Sequence, residues 1–284
     1  MENVGLAVVA GATTGLGFYF VISALRIRGI DSAKNVVLFL ITSLDDDATT
    51  QVETCEKLIR ALASLRKTFT LEAVVPHVGD KIHFYIAVPI VAARRVEREL
   101  RRLFGGFAVE RIHDDHIVFY PYGAAVGAFL MQKDSPATPI PVYREIGADL
   151  FKDVLQGLSE VSQIGEGAAV QFVVNPIGAK KVSGFPSAKL KPLDSFYEVN
   201  VRVVASAGSE FRARDILNGI VAGFEKFRGP GRNALRASKP HTSHALILQF
   251  LSRAFNNKQK MLLTGTELAS LYHIARVKTA NEIF

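Results

Sequence analysis

His113, Asp114, Asp115 and His116 form the densest set of potential metal-ligating side chains in the chain. Imidazole and carboxylate donors suit a transition metal. They fall between two strand-like segments, however, where a polar turn is expected, and the turn is the better reading. His241 and His244 lie in Pro240-His241-Thr242-Ser243-His244, which reads as the start of a helix. Gly229-Pro230-Gly231-Arg232-Asn233 has the composition of a phosphate cradle. It follows a predicted helix instead of preceding one, so a turn is expected there too. Cys55 is the one cysteine, which excludes an internal disulfide and points to a reducing compartment. It sits on the apolar side of a predicted helix with no evident base nearby, as a small buried side chain would. No GxxxxGK[ST], GxSxG, HExxH or paired CxxC occurs in the sequence. The expectation is a chain with no catalytic residue, no metal and no cofactor of its own, and so not an enzyme.

Basic side chains are the next candidates. The chain has 34 Lys plus Arg against 27 Asp plus Glu, a net charge of +7. Arg94, Arg95, Arg98, Arg101 and Arg102 crowd one predicted helix, but Glu97 and Glu99 are interleaved. A solvated face with intrahelical pairs is expected. Lys180, Lys181, Lys189 and Lys191 occupy a stretch without an acid and are candidates for binding an anionic partner, DNA or lipid. Phe84 and Tyr85, with Phe119 and Tyr120, are candidates for stacking on single-stranded nucleic acid, against core packing as the simpler account.

The elements that would position these groups begin with an uncharged stretch. Val4 to Leu25 holds 22 residues and no charge. As a helix it would reach about 33 Å, enough for a hydrocarbon core of about 30 Å. Arg26 and Arg28 follow, so the positive-inside rule would place the remainder in the cytoplasm, below an inner membrane crossed once. Ala7, Gly11 and Gly15 recur at four-residue spacing and would let such helices pack closely, which suggests a homo-oligomer.

Beyond that segment the periodicity alternates between strand and helix. Strands are predicted near 36–43, 69–75, 82–88 and 107–112, with helices at about 52–65 and 90–104. The same order recurs: strands at 125–132, 168–174, 197–205 and 233–238, with helices at 148–161 and 209–226. The fold class expected is α+β: an N-terminal transmembrane helix (1–30), two tandem ferredoxin-like βαββαβ units (34–122 and 123–240), and a short C-terminal helical tail (241–284). In the tail, Thr264 and Glu267 have capping-box spacing. Such units leave one sheet face bare of helices, which suggests binding or assembly.

Four stretches carry a resemblance: IHFYIAVP (82–89), GEGAAVQFVVNP (165–176), YEVNVRVVASAGSEFRARDILNGIVAGFEKF (197–227) and KMLLTGTELASLYHI (260–274). Together they resemble the membrane-proximal N-terminal region of conjugation-type ATPases, the HerA/FtsK-like group linked to type IV secretion. In that family a motor domain follows this region, and the likeness ends where the motor would begin. No catalytic residue carries over. Either the motor is a separate chain, or the sequence is a piece of a longer protein. The resemblance implies a membrane-anchored, non-catalytic scaffold or assembly subunit of a DNA-transfer machine. Its partners would be a motor ATPase or other secretion subunits, membrane lipid and DNA. The alternative is a module that binds the transferred DNA directly.

Overall fold

Valine, phenylalanine and alanine dominate the strand-forming segments, and these line up side by side in one sheet. The computed structural model describes residues 36–42, 48–77, 81–105, 107–113, 118–161, 163–177, 195–238 and 243–275. In chain order the elements are β1 (Val36–Thr42), α1 (Ala48–Ala63), β2 (Phe69–Val75), β3 (His83–Pro89), a 3₁₀ turn (Ile90–Ala92), α2 (Ala93–Leu103), β4 (Ala108–Ile112) and β5 (Ala124–Gln132). Then come α3 (Tyr143–Ile146), α4 (Phe151–Ser159), β6 (Gly167–Pro176), β7 (Phe196–Ala207), α5 (Glu210–Glu225), β8 (Leu235–Ser238), α6 (Ser243–Leu251), β9 (Met261–Thr264) and α7 (Gly265–Leu271).

The strand order is β4-β1-β3-β2-β6-β7-β5-β8, antiparallel at every junction. β2 and β6 pair over seven residues, from Phe69 opposite Val174 to Val75 opposite Ala168. β7 pairs with β6 along one edge. Its other edge is shared end to end, by β5 along Val201–Ala207 and by β9 along Phe196–Val199.

This corrects the expected architecture. The described residues form one nine-stranded antiparallel sheet with seven helices, not two tandem ferredoxin-like units behind a membrane helix. The β2–β6 ladder fuses what the sequence reads as separate units. No helix among the described residues is long and apolar enough to cross a membrane, so the expected inner-membrane, single-pass location is not supported. Val4 to Leu25, with Ala7, Gly11, Gly15, Arg26 and Arg28, lies outside the described residues.

The two faces of the sheet are built differently. One carries alternate strand residues such as Phe39, Ile86, Leu71, Val170, Phe172 and Val201, under α1, α2, α4, α5 and α7. The amphipathic helices fit this layer simply: in α1, Cys55, Leu58, Ile59 and Leu62 are buried while Glu53, Lys57 and Arg60 are exposed. Fully burying one such side chain contributes about 1.5–3 kcal/mol. Tyr272, just past α7, sits at the centre, its ring 5.5 Å from Phe172, 5.8 Å from Phe151 and 6.2 Å from Phe84. The opposite face is not bare. Leu246, Ile247 and Phe250 of α6 pack over β5 and join Leu38, Val74, Tyr85, Ala87, Phe129, Ala169 and Val204 there in a second apolar cluster.

The C-terminal segment therefore touches both faces. α6 lies on one. β9 then joins the sheet beside β7, and α7 enters the helical layer against α1. α7 starts with a complete capping box: Thr264 Oγ1 accepts from the Glu267 amide, and the Thr264 amide donates to Glu267 Oε2. The other Glu267 oxygen accepts from the Ile140 amide at 2.9 Å, which ties the Pro-rich passage down.

Candidate interaction surface

Most of the buried chemistry is already occupied in holding the fold. Under α6, a polar row crosses β2, β6 and β7: Glu72, Gln171 and Arg202, all fully buried. Gln171 Nε2 donates to Glu72 Oε1 (2.9 Å), and Arg202 Nη1 donates to Gln171 Oε1 (2.8 Å). Arg202 also donates to the carbonyls of Gln249 and Ala254. Arg253 makes a two-pronged pair with Glu72, Nε to Oε1 at 2.9 Å and Nη2 to Oε2 at 3.1 Å. Burial pushes the Arg202 guanidinium down to about 10, with the Glu72 charge opposing. Asn200 adds bonds to the Asn256 and Gln259 carbonyls, 2.8 Å each. These groups bind the 249–260 segment to the sheet.

Other titratable groups follow the same pattern. Burial pushes the Cys55 thiol up to about 12, only partly opposed by the Ile274 amide that donates to its sulfur. That thiol is no nucleophile. Burial would raise the Asp149 carboxyl. The hydrogen bond and charge of His273, and the Lys152 and Phe151 amides, outweigh it and hold the carboxyl below its usual range. His273 Nε2 lies 3.0 Å from Asp149 Oδ2. The pocket beside them, lined by Tyr143, Leu150, Phe227 and Ser270 among others, measures ≈ 10 Å³, room for about one water.

One open surface lies at the sheet end where β2 and β7 finish and β5 and β6 begin; Val91, 84% exposed, and Ile90, 48%, stand out elsewhere, at the 3₁₀ turn. Three large apolar side chains stand out of the fold there: Tyr122 is 76% exposed, Ile164 86% and Phe211 84%. The loops that carry them are linked through neighbouring residues. The Tyr122 ring lies 6.2 Å from that of Tyr120, and Tyr120 lies 6.0 Å from His77. Gly165, next to Ile164, approaches the Tyr120 ring so closely that a Cβ would sit 3.8 Å from it. Arg212, next to Phe211, grips Glu166 in a two-pronged pair at 2.7 and 3.1 Å. The Glu166 bond, above all, raises the Arg212 pKa, so the guanidinium stays charged.

The loops bearing these side chains are fixed by local chemistry. Gly165 has φ +94°, a conformation that favours glycine, and its amide donates to the His77 carbonyl at 2.7 Å. A Cβ on Gly167 would lie 2.1 Å from the Val118 carbonyl oxygen, so only glycine allows that strand start. The Tyr120 amide donates to Ser206 Oγ at 3.1 Å. Ser209 caps α5, its hydroxyl accepting from the Arg212 amide, which sets Phe211 on the outward side of the first turn.

Several expected sites fall elsewhere. Phe84 is buried in the helical layer, and Tyr85 and Phe119 are buried under α6. No pair of exposed aromatics on neighbouring strands exists among them, which removes the stacking candidates; of the four, only Tyr120 reaches the surface. The α2 arginines are all exposed, and three have local partners: Arg101 with Glu97, Arg102 with Glu99, Arg95 with Ser64. That is the solvated face expected. Lys180, Lys181, Lys189 and Lys191 lie outside the described residues, as do Asp114, Asp115 and His116. Among the described residues no group of three His, Cys, Asp or Glu could hold a metal.

Neither the polar row nor the patch was anticipated. The row had a signal: Glu198, Asn200 and Arg202 alternate along β7, as residues sharing one face must. The patch had a fainter one, a lone isoleucine in the polar loop Gln163-Ile164-Gly165-Glu166.

No family profile matches the chain, and no curated protein does. Among solved structures the chain is similar to a chitooligosaccharide oxidase, at TM-score 0.38 and 11% identity, over 79% of this chain and 53% of that one. It is similar at TM-score 0.37 and 12% identity to a xylooligosaccharide oxidase from Myceliophthora thermophila C1 solved with xylobiose, over 77% of this chain and 50% of that one. The chain spans about half the length of these structures. With no membrane-crossing helix among the described residues and the supposedly bare sheet face partly covered by α6, the membrane-anchored scaffold of a DNA-transfer machine is not supported.

Proposed function

We propose that this chain is a non-catalytic protein-interaction domain that docks through the sheet-end patch of Tyr122, Ile164 and Phe211. The observation that carries the reading is the convergence of three large apolar side chains, each more than three-quarters exposed, on loops held rigid by hydrogen bonds and an ion pair. Isolated exposed apolar residues are common, whereas a contiguous rimmed patch marks an interaction site. Tyrosine and phenylalanine are enriched at interface centres. On the chemical side, Glu72, Arg202, Cys55 and Asp149 are all committed to the fold. Preset loops also lower the ordering cost of association.

A photo-crosslinking amino acid placed at 122, at 211 and, as a control, at Arg98 on the exposed arginine face tests this. The reading expects discrete protein-sized adducts from 122 and 211 and none from 98. Equal labelling from all three positions, or none from the patch, rejects it.

A further inference from the structure

We propose that a second surface, at the opposite end of the sheet, docks on an anionic lipid bilayer: Ile90 and Val91 enter the headgroup layer of one leaflet while the arginines beside them meet lipid phosphates. Contact with one leaflet needs no membrane-crossing helix, and it stands whether or not the sheet-end patch docks a protein. Geometry puts the two apolar side chains on the outside. β3 runs straight into the 3₁₀ turn Ile90–Ala92 and then into α2. Ala92, Ala93, Val96 and Leu100 turn inward and are buried, which leaves Ile90 and Val91 facing solvent. Arg94, Arg95 and Arg98 follow Val91 at three, four and seven residues, the spacing of one helix face, and all are exposed.

The charge around this tip is unlike that of the patch. Both acids of α2 are engaged in its C-terminal half, Glu97 by Arg101 and Glu99 by Arg102. Among the described residues Arg94 and Arg98 make no ion pair or hydrogen bond, and Arg95 donates to a neutral hydroxyl, Ser64 Oγ at 3.1 Å. That bond holds the end of α1 against α2, and Thr70 pairs with Ala87 in the sheet, so the exposed Arg66 and Lys67 belong to the same end. At the patch, by contrast, Arg212 and Arg214 are already paired with Glu166, Asp215 and Glu210. Aliphatic side chains projecting among uncompensated cations supply the two signals that together hold a protein on an anionic bilayer. Other anionic partners fit less well. Nucleic acid would take the arginines but leave Ile90 and Val91 against phosphate, and no residue from 90 to 103 is aromatic, so no base could stack there. A standard protein interface buries about 800 Å² on each partner, which a two-residue tip does not offer. A fluid bilayer closes around such a tip without a matching shape.

Co-sedimentation of the full chain with vesicles tests this, phosphatidylcholine alone against phosphatidylcholine mixed with phosphatidylserine. The chain is expected to bind the anionic vesicles more tightly by about tenfold or more, and to be released as salt screens the surface. Ile90→Ser with Val91→Ser is expected to weaken binding about tenfold. Val91→Ser alone, at the more exposed position, is expected to lose about fivefold, and it decides the matter if the double variant melts early. Arg94→Gln with Arg98→Gln is expected to weaken binding about 25-fold, at about fivefold per cation, with an unchanged melting temperature because both side chains stand in solvent. Arg236→Gln, which removes an exposed cation on β8 at the far edge of the sheet, is expected to bind as wild type does. Equal binding to neutral vesicles, or a Val91→Ser chain that binds as before, overturns the proposal, because the apolar contact would then lie elsewhere. A wild-type chain that ignores both vesicles overturns it too. If that chain instead retards DNA in a way that needs Arg94 and Arg98, the surface belongs to nucleic acid.

Discussion

The two faces of this sheet solve the same burial problem in opposite ways. On the helical face the contacts are apolar and numerous, and five helices share them. On the other face one helix of nine residues covers the part over β5, and buried near it are Glu72, Gln171 and Arg202. Apolar contacts are non-directional and tolerate small shifts in packing. A chain of hydrogen-bonded charges does not: each member must meet its partner, or a buried charge is stranded. The difference implies a division of labour. The helical face supplies most of the stability. The polar row fixes where the C-terminal segment lies, because Arg202 and Asn200 bind carbonyls at 249, 254, 256 and 259 and Arg253 binds Glu72. Arg253 even adopts φ +51°, a left-handed conformation for a non-glycine residue, in making that pair.

Removing the central acid is the largest test of that contrast. Glu72→Ala leaves Arg202 and Arg253 facing each other across the row without their carboxylate, and stranding a buried charge costs about 3–5 kcal/mol. Hydrogen exchange locates the damage. Amides of α6 and of the 252–260 segment should lose protection before those of α1 and α5. Uniform loss across both faces would mean that the row stabilises the whole fold and does not position one segment. A truncation on the helical face sharpens the comparison from the other side. Ile86, at the centre of β3, is fully buried among apolar neighbours. Ile86→Val should cost only about 0.5–1.5 kcal/mol, with no local opening of α6. A thermal melt of each variant ranks the two faces.

The same contrast explains what the sequence could and could not disclose. Strand and helix positions on the helical face were legible because they obey simple periods. Residues 69–75 and 168–174 read as strands, inside the observed Phe69–Val75 and Gly167–Pro176, and Cys55, Leu58, Ile59 and Leu62 give α1 its apolar stripe. Thr264 and Glu267 announced α7 through a local motif. The pairing of β2 with β6 was not legible. Both segments are mainly apolar runs almost a hundred residues apart, and the one polar pair that matches them, Glu72 with Gln171, is visible only once the strands are side by side. Without that ladder the chain reads as separate units, and the covering of the second face by α6 cannot be foreseen. The arginine of β7 was visible but mute, since only Gln171 and Glu72 on two other strands explain its burial. The patch was harder still, because exposure is set by where loops end and not by any periodicity in Tyr122, Ile164 or Phe211.

The smallest effect concerns how the C-terminal segment is fastened to the helical face. One of the ties there is His273 Nε2 to Asp149 Oδ2, with the Phe151 and Lys152 amides donating to the other carboxylate oxygen. The Asp149 carboxyl is held below its usual range in the fold. A carboxylate with a depressed folded pKa stabilises above its unfolded value, near ~4. That contribution drains away as the pH falls through the lower folded value. Asp149→Asn should therefore be less stable than wild type at neutral pH, by about 1 kcal/mol, and the two melting curves should converge as the pH drops to about 2. Melting temperature followed against pH for both chains decides the matter. An offset that stays constant from neutral to acid pH would show that the amide loses a packing contact and not a charge. The His273–Asp149 contact would then hold the segment through packing and not through charge, unlike the paired charges of Glu72 and Arg253 beneath α6.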